Sequence, residues 1–154
     1  MKGKILLAGN GGSAAEAQHM AAEYTATLNK EHNRMAIAAM ALSVDTSFIT
    51  AWSNDFGFES VFTRQLEALA QENDILFAYS TSGSSPNIVK SIELAVDLGM
   101  FVVLFTGGRY DLKKRVGEHI TLRVPSVSTA IIQECHTILG HVICSEIEQE
   151  IGFK

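Results

Sequence analysis

The sequence predicts a three-layer, doubly wound α/β domain whose central sheet has five parallel strands. Five short apolar runs alternate with segments of helical periodicity along the 154 residues, and this alternation is typical of βαβ units. Each run is almost continuously apolar, which is the pattern of strands covered by helices on both faces. Ligands bind to such folds beyond the carboxyl ends of the strands.

In the first half of the chain, tight turns and apolar spacing indicate two strands and three helices. The first apolar run ends in the glycine-rich turn GNGGS at residues 9–13, which indicates a strand followed directly by a helix. The expected elements are a strand at Ile5 to Ala8, a helix at Ala14 to Leu28, a strand at Met35 to Met40, a short helix at Thr46 to Trp52 with a loop at 53–57, and a helix at Glu59 to Gln71.

In the second half, three strands and three helices follow in the same way. Glycine or proline ends most of them, and apolar residues recur at helical spacing between the strands. The expected elements are a strand at Ile75 to Tyr79, a helix from Asn87 to Gly99, a strand at Phe101 to Phe105, a short helix at Asp111 to Val116, a strand at Ile120 to Val124, and a helix from about Ser128 to Glu150.

The loop at residues 80–86, STSGSSP, joins the third strand to a helix and has the composition of a phosphate-binding loop. It contains four serines, a threonine and a glycine, and no charged residue. An anion would be held there by hydroxyls, backbone N–H groups and the positive end of the helix. The simpler alternative is a helix N-cap preceded by a turn of small residues.

The glycine turn at 9–13 allows a second interpretation. With Ala14 it fits the dinucleotide fingerprint GxGxxA, and Asp45 follows the second strand, where an acid could bind a ribose. The match is weak, because a tight strand-to-helix turn explains the glycines without a ligand. Asn10 and Ser13 could equally hydrogen-bond a sugar.

Two helices carry residue types that suit a divalent metal ion and proton transfer. His19 and Glu23 are four residues apart on one helix, and Gln133, Thr137 and His141 follow at steps of four on the last helix, so each set shares a helix face. If the two helices met, these side chains would suit zinc. The alternative is a surface hydrogen bond. Burial would raise the pKa of Glu23 and favour it as a base, with His141 as the acid.

The other histidines, His32, His119 and His136, lack such neighbours and are expected to be exposed or to cap helices. Cys135 and Cys144 lie nine residues apart on different faces of one helix, so they are expected to be reduced core residues.

The net charge of −5, with scattered basic residues, argues against a nucleic-acid partner. No apolar run has the roughly 20 residues of a membrane span, and no signal peptide opens the chain, so we expect a cytoplasmic protein.

Four motifs in order give the chain a recognisable resemblance. They are GNGGSAAEAQHMAAE at residues 9–23, NDFG at 54–57, STSGSSPN at 80–87 and IQECHxxxGH at 132–141. The chain resembles the sugar isomerase (SIS) domain family, and within it the phosphoheptose isomerases, over nearly every residue. The resemblance implies a single flavodoxin-like SIS domain at residues 1–154. Members usually carry a helical segment before the first strand, and this segment is expected to be absent here.

The resemblance also implies a function. It is the enediol aldose–ketose isomerisation of sedoheptulose 7-phosphate to D-glycero-D-manno-heptose 7-phosphate, for lipopolysaccharide or capsule heptoses. Members are typically homotetramers with sites at subunit interfaces, and no nucleotide cofactor is expected here. The implied catalytic residues are Glu23 and His141; the implied substrate-binding residues are Asn10, Gly11, Gly12, Ser13, Glu23, Asn54, Asp55, Ser80, Thr81, Ser82, Ser85 and Gln133; and the implied ligands of one Zn²⁺ per subunit are His19, Glu23, Gln133 and His141.

Two alternatives remain within the same fold. One is a non-catalytic SIS protein, such as the regulator that binds the bacterial replication initiator; the presence of both Glu23 and His141 favours the enzyme. The other is an isomerase of a different phosphosugar, against which the motifs GNGGS and AQHMAAE argue. Residues 128–131, STAI, stand where many relatives have polar or charged residues, so substrate affinity or selectivity could differ. The resemblance leaves open whether the metal is catalytic or structural.

Overall fold

The computed structural model describes residues 3–31, 34–111, 117 and 119–152, which form a five-stranded parallel sheet with helices on both faces. A short 3-10 turn at Phe58–Ser60 precedes the third helix. The elements are β1 (Ile5–Gly9), α1 (Gly12–Thr25), β2 (Ala39–Ala41), α2 (Thr46–Phe56), α3 (Val61–Leu69), β3 (Ile75–Ser80), α4 (Pro86–Asp97), β4 (Phe101–Thr106), β5 (Ile120–Arg123) and α5 (Thr129–Ile151).

The strand order, β2-β1-β3-β4-β5, explains where a ligand can bind. The chain runs outward from β1 to β2 and then returns to place β3 on the other side of β1, so the order reverses between β1 and β3. A crevice forms at such a reversal, beyond the carboxyl ends of the strands. Gly9 and Tyr79 are opposite each other in the register of these two strands. The glycine turn and the serine loop therefore leave the sheet side by side at this crevice.

The core is divided by the sheet into two layers, because successive side chains of a strand point to opposite faces. In β1, Leu6 and Ala8 pack on the α3 and α4 side, whereas Ile5 and Leu7 pack on the α1 and α5 side. Both faces of the central strands are therefore buried, which accounts for their continuous apolar sequence. The predicted fold class is confirmed.

Several boundaries differ from the sequence prediction. The second strand covers only Ala39–Ala41, because it lies at the sheet edge and only three of its residues face β1. The loop expected at 53–57 is wrong over most of its length, since α2 continues to Phe56 before Gly57 ends it. The short helix expected at Asp111 to Val116 falls largely on residues 112–116, outside those described. None of the described helices has the length and hydropathy needed to cross a membrane.

Candidate functional site

Helices α1 and α5 pack side by side on one face of the sheet, and this packing brings the two predicted metal-binding motifs together. At their crossing, a Cβ on Gly140 would lie 2.7 Å from Sδ of Met20, so a larger residue here would force the buried Met20 side chain to shift. Met20 and Gly140 directly adjoin His19 and His141 in the sequence. As a result, the Nε2 atoms of the two histidines lie 2.8 Å apart, with their rings edge to face.

Glu23 completes a cluster of three potential metal ligands. Its Oε1 lies 3.9 Å from Nε2 of His19, and one donor atom from each of His19, Glu23 and His141 lies within 4.8 Å of the others. The His19 side chain is 44% exposed and that of Glu23 is 21% exposed, so the cluster opens to solvent. Two imidazoles and a carboxylate are a donor set that suits zinc, and these residues therefore fit a divalent cation.

Gln133 lies in an open groove that also reaches His19. This groove has a volume of about 410 Å³ and is formed by the start of α1 and the first turns of α5. A Cβ on Gly12 would lie 2.5 Å from Nε2 and 2.7 Å from Oε1 of Gln133. The absence of a side chain at Gly12 therefore admits the Gln133 amide. Gln133 lies eight residues before His141, about two helical turns away, and its role as a metal ligand stays a prediction.

Glu16 is a candidate residue that the sequence reasoning missed. It lines the same groove and is buried. Its Oε2 accepts a 2.6 Å hydrogen bond from Thr137, whereas Oε1 has no partner among the described residues. The signal was available in part, because Glu16 precedes His19 by three residues and so shares its helix face. Its contact with Thr137 across two helices required the tertiary structure.

Tyr79 lies near the end of β3, in the core layer beneath α1 and α5. Burial is the main cause that raises the pKa of Tyr79 well above its ordinary value, and the charges of Glu16 and Tyr24 raise it further. The hydroxyl of Tyr79 is also buried without a partner in the described part of the chain. It therefore remains a neutral donor beneath the groove.

The serine loop is folded by its own hydroxyls. Oγ of Ser80 accepts the Gly83 N–H at 3.1 Å and donates to Oγ of Ser85 at 3.2 Å, while Oγ of Ser82 accepts the Ser84 N–H at 3.2 Å. Ser85 is the N-cap of α4, but its side chain makes no capping bond. The first turn of α4 therefore keeps its positive end for a ligand, as expected of an anion-binding loop.

The glycine turn contributes Asn10, Gly11, Gly12 and Ser13. Ser13 is buried in the first turn of α1, and its N–H donates to the Asn10 carbonyl at 3.0 Å. The side chain of Asn10 is paired with the buried Asn87 of α4 by two hydrogen bonds of 2.9 Å each. Asn10 is therefore held between the two loops.

Asn54 and Asp55 lie on a different element, α2, and neither lines the groove. They occupy the last turn of α2, where both are exposed, and Nδ2 of Asn54 donates to Oδ1 of Asp55 at 2.7 Å. Phe56 and Phe58 beside them are also exposed, at 67% and 50%. The structure thus brings neither residue into the groove of the same chain, and their part in substrate binding stays a prediction.

Other expected residues have structural roles that the sequence did not show. The prediction that His119 and His136 are exposed or capping is wrong, because both are buried. Nε2 of His136 lies 3.2 Å from the Thr106 carbonyl, and burial lowers its pKa despite that hydrogen bond. Asp45, considered for a ribose, caps α2 by accepting the Phe48 N–H at 2.9 Å. His32 lies outside the described residues.

Comparisons with known proteins agree with this architecture. The SIS domain family matches residues 1–107. A phosphoheptose isomerase of Burkholderia pseudomallei is 47% identical over 152 residues, which cover 99% of this chain and 76% of that protein. One from Helicobacter hepaticus is 49% identical over 150 residues, covering 97% and 75%. The solved structure of a phosphoheptose isomerase from Francisella tularensis is 41% identical with a TM-score of 0.88, covering 96% of this chain and 77% of its own.

Proposed function

The chain belongs to the SIS domain family, and from this membership and the geometry of the groove we infer that it is an aldose–ketose isomerase of phosphoheptoses. Its relatives at 47% and 49% identity carry the name phosphoheptose isomerase, so these comparisons do not favour the non-catalytic regulator. The substrate we propose is sedoheptulose 7-phosphate, and the product is D-glycero-D-manno-heptose 7-phosphate. We propose that residues 1–154 act as one SIS domain.

One observation supports the proposal most strongly: Glu23 and His141, which are 118 residues apart, lie within one cluster with His19. Isomerisation through an enediol needs a base beside the carbon that loses its proton and a second group for the oxygen proton. We assign the base to Glu23. Its carboxylate takes a proton from the carbon next to the carbonyl, and the electron pair of that C–H bond becomes the carbon–carbon double bond of the enediol.

His141 is the proposed acid. A ring N–H of His141 gives its proton to the carbonyl oxygen as the double bond shifts, so no charge remains on the enediol, and the other ring nitrogen remains available for a metal ion. The ring nitrogen of His141 that gave up its proton then takes the hydroxyl proton of the neighbouring carbon, and Glu23 returns its proton to the former carbonyl carbon, so both side chains regain their starting state. The substrate phosphate is held by the loop with Ser80, Thr81, Ser82 and Ser85, while Asn10, Gly11, Gly12 and Gln133 face the reacting end.

We propose that His19, Glu23, Gln133 and His141 hold one zinc ion. The donor atoms of His19, Glu23 and His141 already lie within 4.8 Å of one another. A bound zinc ion would polarise the substrate's carbonyl and hydroxyl oxygens. Glu23 would then serve both as a ligand of this ion and as the base.

Protein purified without chelators is expected to contain near one equivalent of divalent metal per chain, because two histidines and a carboxylate form most of a zinc site. The His19→Ala variant is expected to lose most of this metal, as measured by elemental mass spectrometry. Cys135→Ser is the control, since Cys135 is a free thiol outside the cluster. Equal metal content in wild type and His19→Ala would contradict the site.

We propose that the active form is a homotetramer with sites at subunit interfaces. Ile131, Ile138 and Val142 are 52%, 62% and 53% exposed on α5, and their spacing of seven and four places them on one face. This apolar face runs beside His141. Contacts between chains through this face would bury the solvent-exposed side of the site. A neighbouring chain could then supply Asn54 and Asp55.

Light scattering is expected to give the mass of four chains for the wild type and a smaller mass for Ile138→Lys, because a buried lysine charge costs several kcal/mol at an interface. Ala68→Lys is the control for added charge, because Ala68 is exposed on α3, in the layer on the other side of the sheet from α5. A monomeric wild type at working concentration would contradict the assembly.

The decisive experiment is an isomerase assay with sedoheptulose 7-phosphate, followed by detection of the aldose product. Turnover is expected, and the same assay with arabinose 5-phosphate should give far less. Absence of turnover combined with capture of a replication initiator would instead support the regulator. We place the reaction in the cytoplasm, at the entry to lipopolysaccharide or capsule heptose synthesis.

A further inference from the structure

Asn87 is not among the predicted site residues. Its side-chain amide forms two reciprocal hydrogen bonds with the side-chain amide of Asn10. Nδ2 of each residue donates to Oδ1 of the other, and both distances are 2.9 Å. Asn87 is 3% exposed, so its amide has little access to water. Two parallel hydrogen bonds fix both the distance and the mutual orientation of the two amide planes, which a single bond would not do.

The pair connects the two loops that border the crevice. Asn10 belongs to the glycine turn after β1, and Asn87 lies in the first turn of α4, directly after the serine loop. In the described part of the chain, no other side-chain hydrogen bond joins residues 10–13 to residues 80–87. Below them the strands are fixed by the register of Gly9 and Tyr79. Above the sheet, this pair is therefore the contact through which one loop can hold the other.

The pair also determines which atoms Asn10 presents to a ligand. An amide has two N–H donors and an oxygen with two lone pairs, and the bond to Asn87 uses one donor and one lone pair. One N–H and one lone pair of Asn10 remain for a sugar. A rotation of the Asn10 amide by 180° would place oxygen against oxygen and nitrogen against nitrogen unless Asn87 turned as well. Asn87 thus holds Asn10 in one orientation.

Asn87 is itself fixed within α4. The backbone carbonyl of Asn87 accepts a 2.6 Å hydrogen bond from Oγ of Ser91, and Ser91 is fully buried. This bond holds the backbone of the first helical turn and does not reach the glycine turn. Ser91 therefore provides a matched control, because its removal loses a buried hydrogen bond of the same helix without separating the loops.

We propose that Asn87 is a positioning residue that sets the spacing between the phosphate-binding loop and the part of the site that binds the reacting end of the sugar. This inference rests on the proposed function, since it assigns the two loops to the two ends of one phosphosugar. A ligand that contacts both loops binds more tightly when their spacing is already fixed, because less conformational entropy is lost on binding. Inorganic phosphate, which touches only the serine loop, does not.

The test compares two ligands on Asn87→Ala. We expect kcat/KM for sedoheptulose 7-phosphate to fall about tenfold or more, in line with the loss of a buried hydrogen-bonding partner. The inhibition constant of inorganic phosphate should change less than twofold. Ser91→Ala should leave both values near those of the wild type. Thermal melts establish that each variant is folded, and Asn87→Ser replaces Asn87→Ala if the latter is not.

A double-mutant cycle with Asn10→Ala separates positioning from general destabilisation. If Asn87 acts through Asn10, Asn10→Ala/Asn87→Ala is expected to lose no more kcat/KM than Asn10→Ala alone. Additive losses would overturn the proposal, as would equal weakening of phosphate and sugar phosphate, or a wild-type kcat/KM in Asn87→Ala. If the wild type does not isomerise the sugar, the proposed function itself is refuted. The outcomes above test the role of Asn87 and require an active wild type.

Discussion

Replacing Glu23 by Gln is expected to lower kcat for sedoheptulose 7-phosphate by about 10²–10⁴-fold, the usual contribution of a general base. The amide keeps the size of the side chain and one acceptor oxygen but cannot act as a base. Because Glu23 is partly exposed on α1, the fold should survive the change. His141→Ala is expected to reduce kcat similarly through loss of the acid. Steady-state kinetics on purified variants measure both effects.

Glu93→Gln is the matched control for this experiment. Glu93 is exposed on α4, in the layer on the other side of the sheet from α1 and α5, so kcat should stay at the wild-type value. Full activity of Glu23→Gln would refute the proposed base. Since loss of metal would also reduce kcat, metal content is measured on the same samples, and the assignment to proton transfer requires a Gln variant that still holds the ion.

Arg34→Met is expected to lower the free energy of unfolding by about 3–5 kcal/mol, because it leaves a buried carboxylate without its cation. Nε of Arg34 donates to Oε1 of Glu148 at 2.6 Å, and the two side chains are 0% and 3% exposed. The guanidinium also donates to the carbonyls of Glu23 at 2.7 Å and Tyr24 at 2.9 Å. It thus ties the end of α1 to α5. Urea denaturation measures the effect.

The exposed pair of Lys90 and Glu59 offers the comparison. Its N–O distance is also 2.6 Å, but the two side chains are 48% and 64% exposed, so Lys90→Met should cost under about 1 kcal/mol. Equal losses in the two variants would show that burial does not control the strength of the Arg34 pair. If Arg34→Met does not fold, Arg34→Lys, which keeps the charge but loses the branched geometry, is expected to give an intermediate loss.

The buried pair also predicts an acid dependence of stability. Burial alone would raise the pKa of Glu148, but hydrogen bonds from the Leu28 N–H, Arg34, Thr27 and the Asn29 N–H lower it below its ordinary value of 4.5. A carboxyl whose pKa is lowered by folding stabilises the protein above its unfolded pKa, and this contribution disappears as the pH falls through the folded pKa. The wild type should therefore lose stability below about pH 4.5 more steeply than Glu148→Gln.

Much of the fold could be predicted because its signals are local. The succession of five strands along the chain, and of the helices that the structure describes, followed from continuous apolar runs and from glycine and proline at their ends. The misplaced boundary at 53–57 shows the limit of such signals: α2 has no buried residue, so its apolar pattern gave no firm end. The short second strand likewise depends on which residues of β1 it can reach, and this is a property of the sheet.

For the site, the sequence determined the chemistry of each part: a neutral hydroxyl loop for phosphate, a glycine turn, and histidine and carboxylate on one helix face. The resemblance added the expectation that these parts act together. Spacing alone left open whether α1 and α5 meet, and it missed Glu16. Tertiary structure decided the contacts of His19 with His141, Asn10 with Asn87 and Arg34 with Glu148, which join residues 122, 77 and 114 positions apart. These contacts arise because the crossovers place α1 and α5 in one layer and β1 beside β3, and no local pattern encodes that placement.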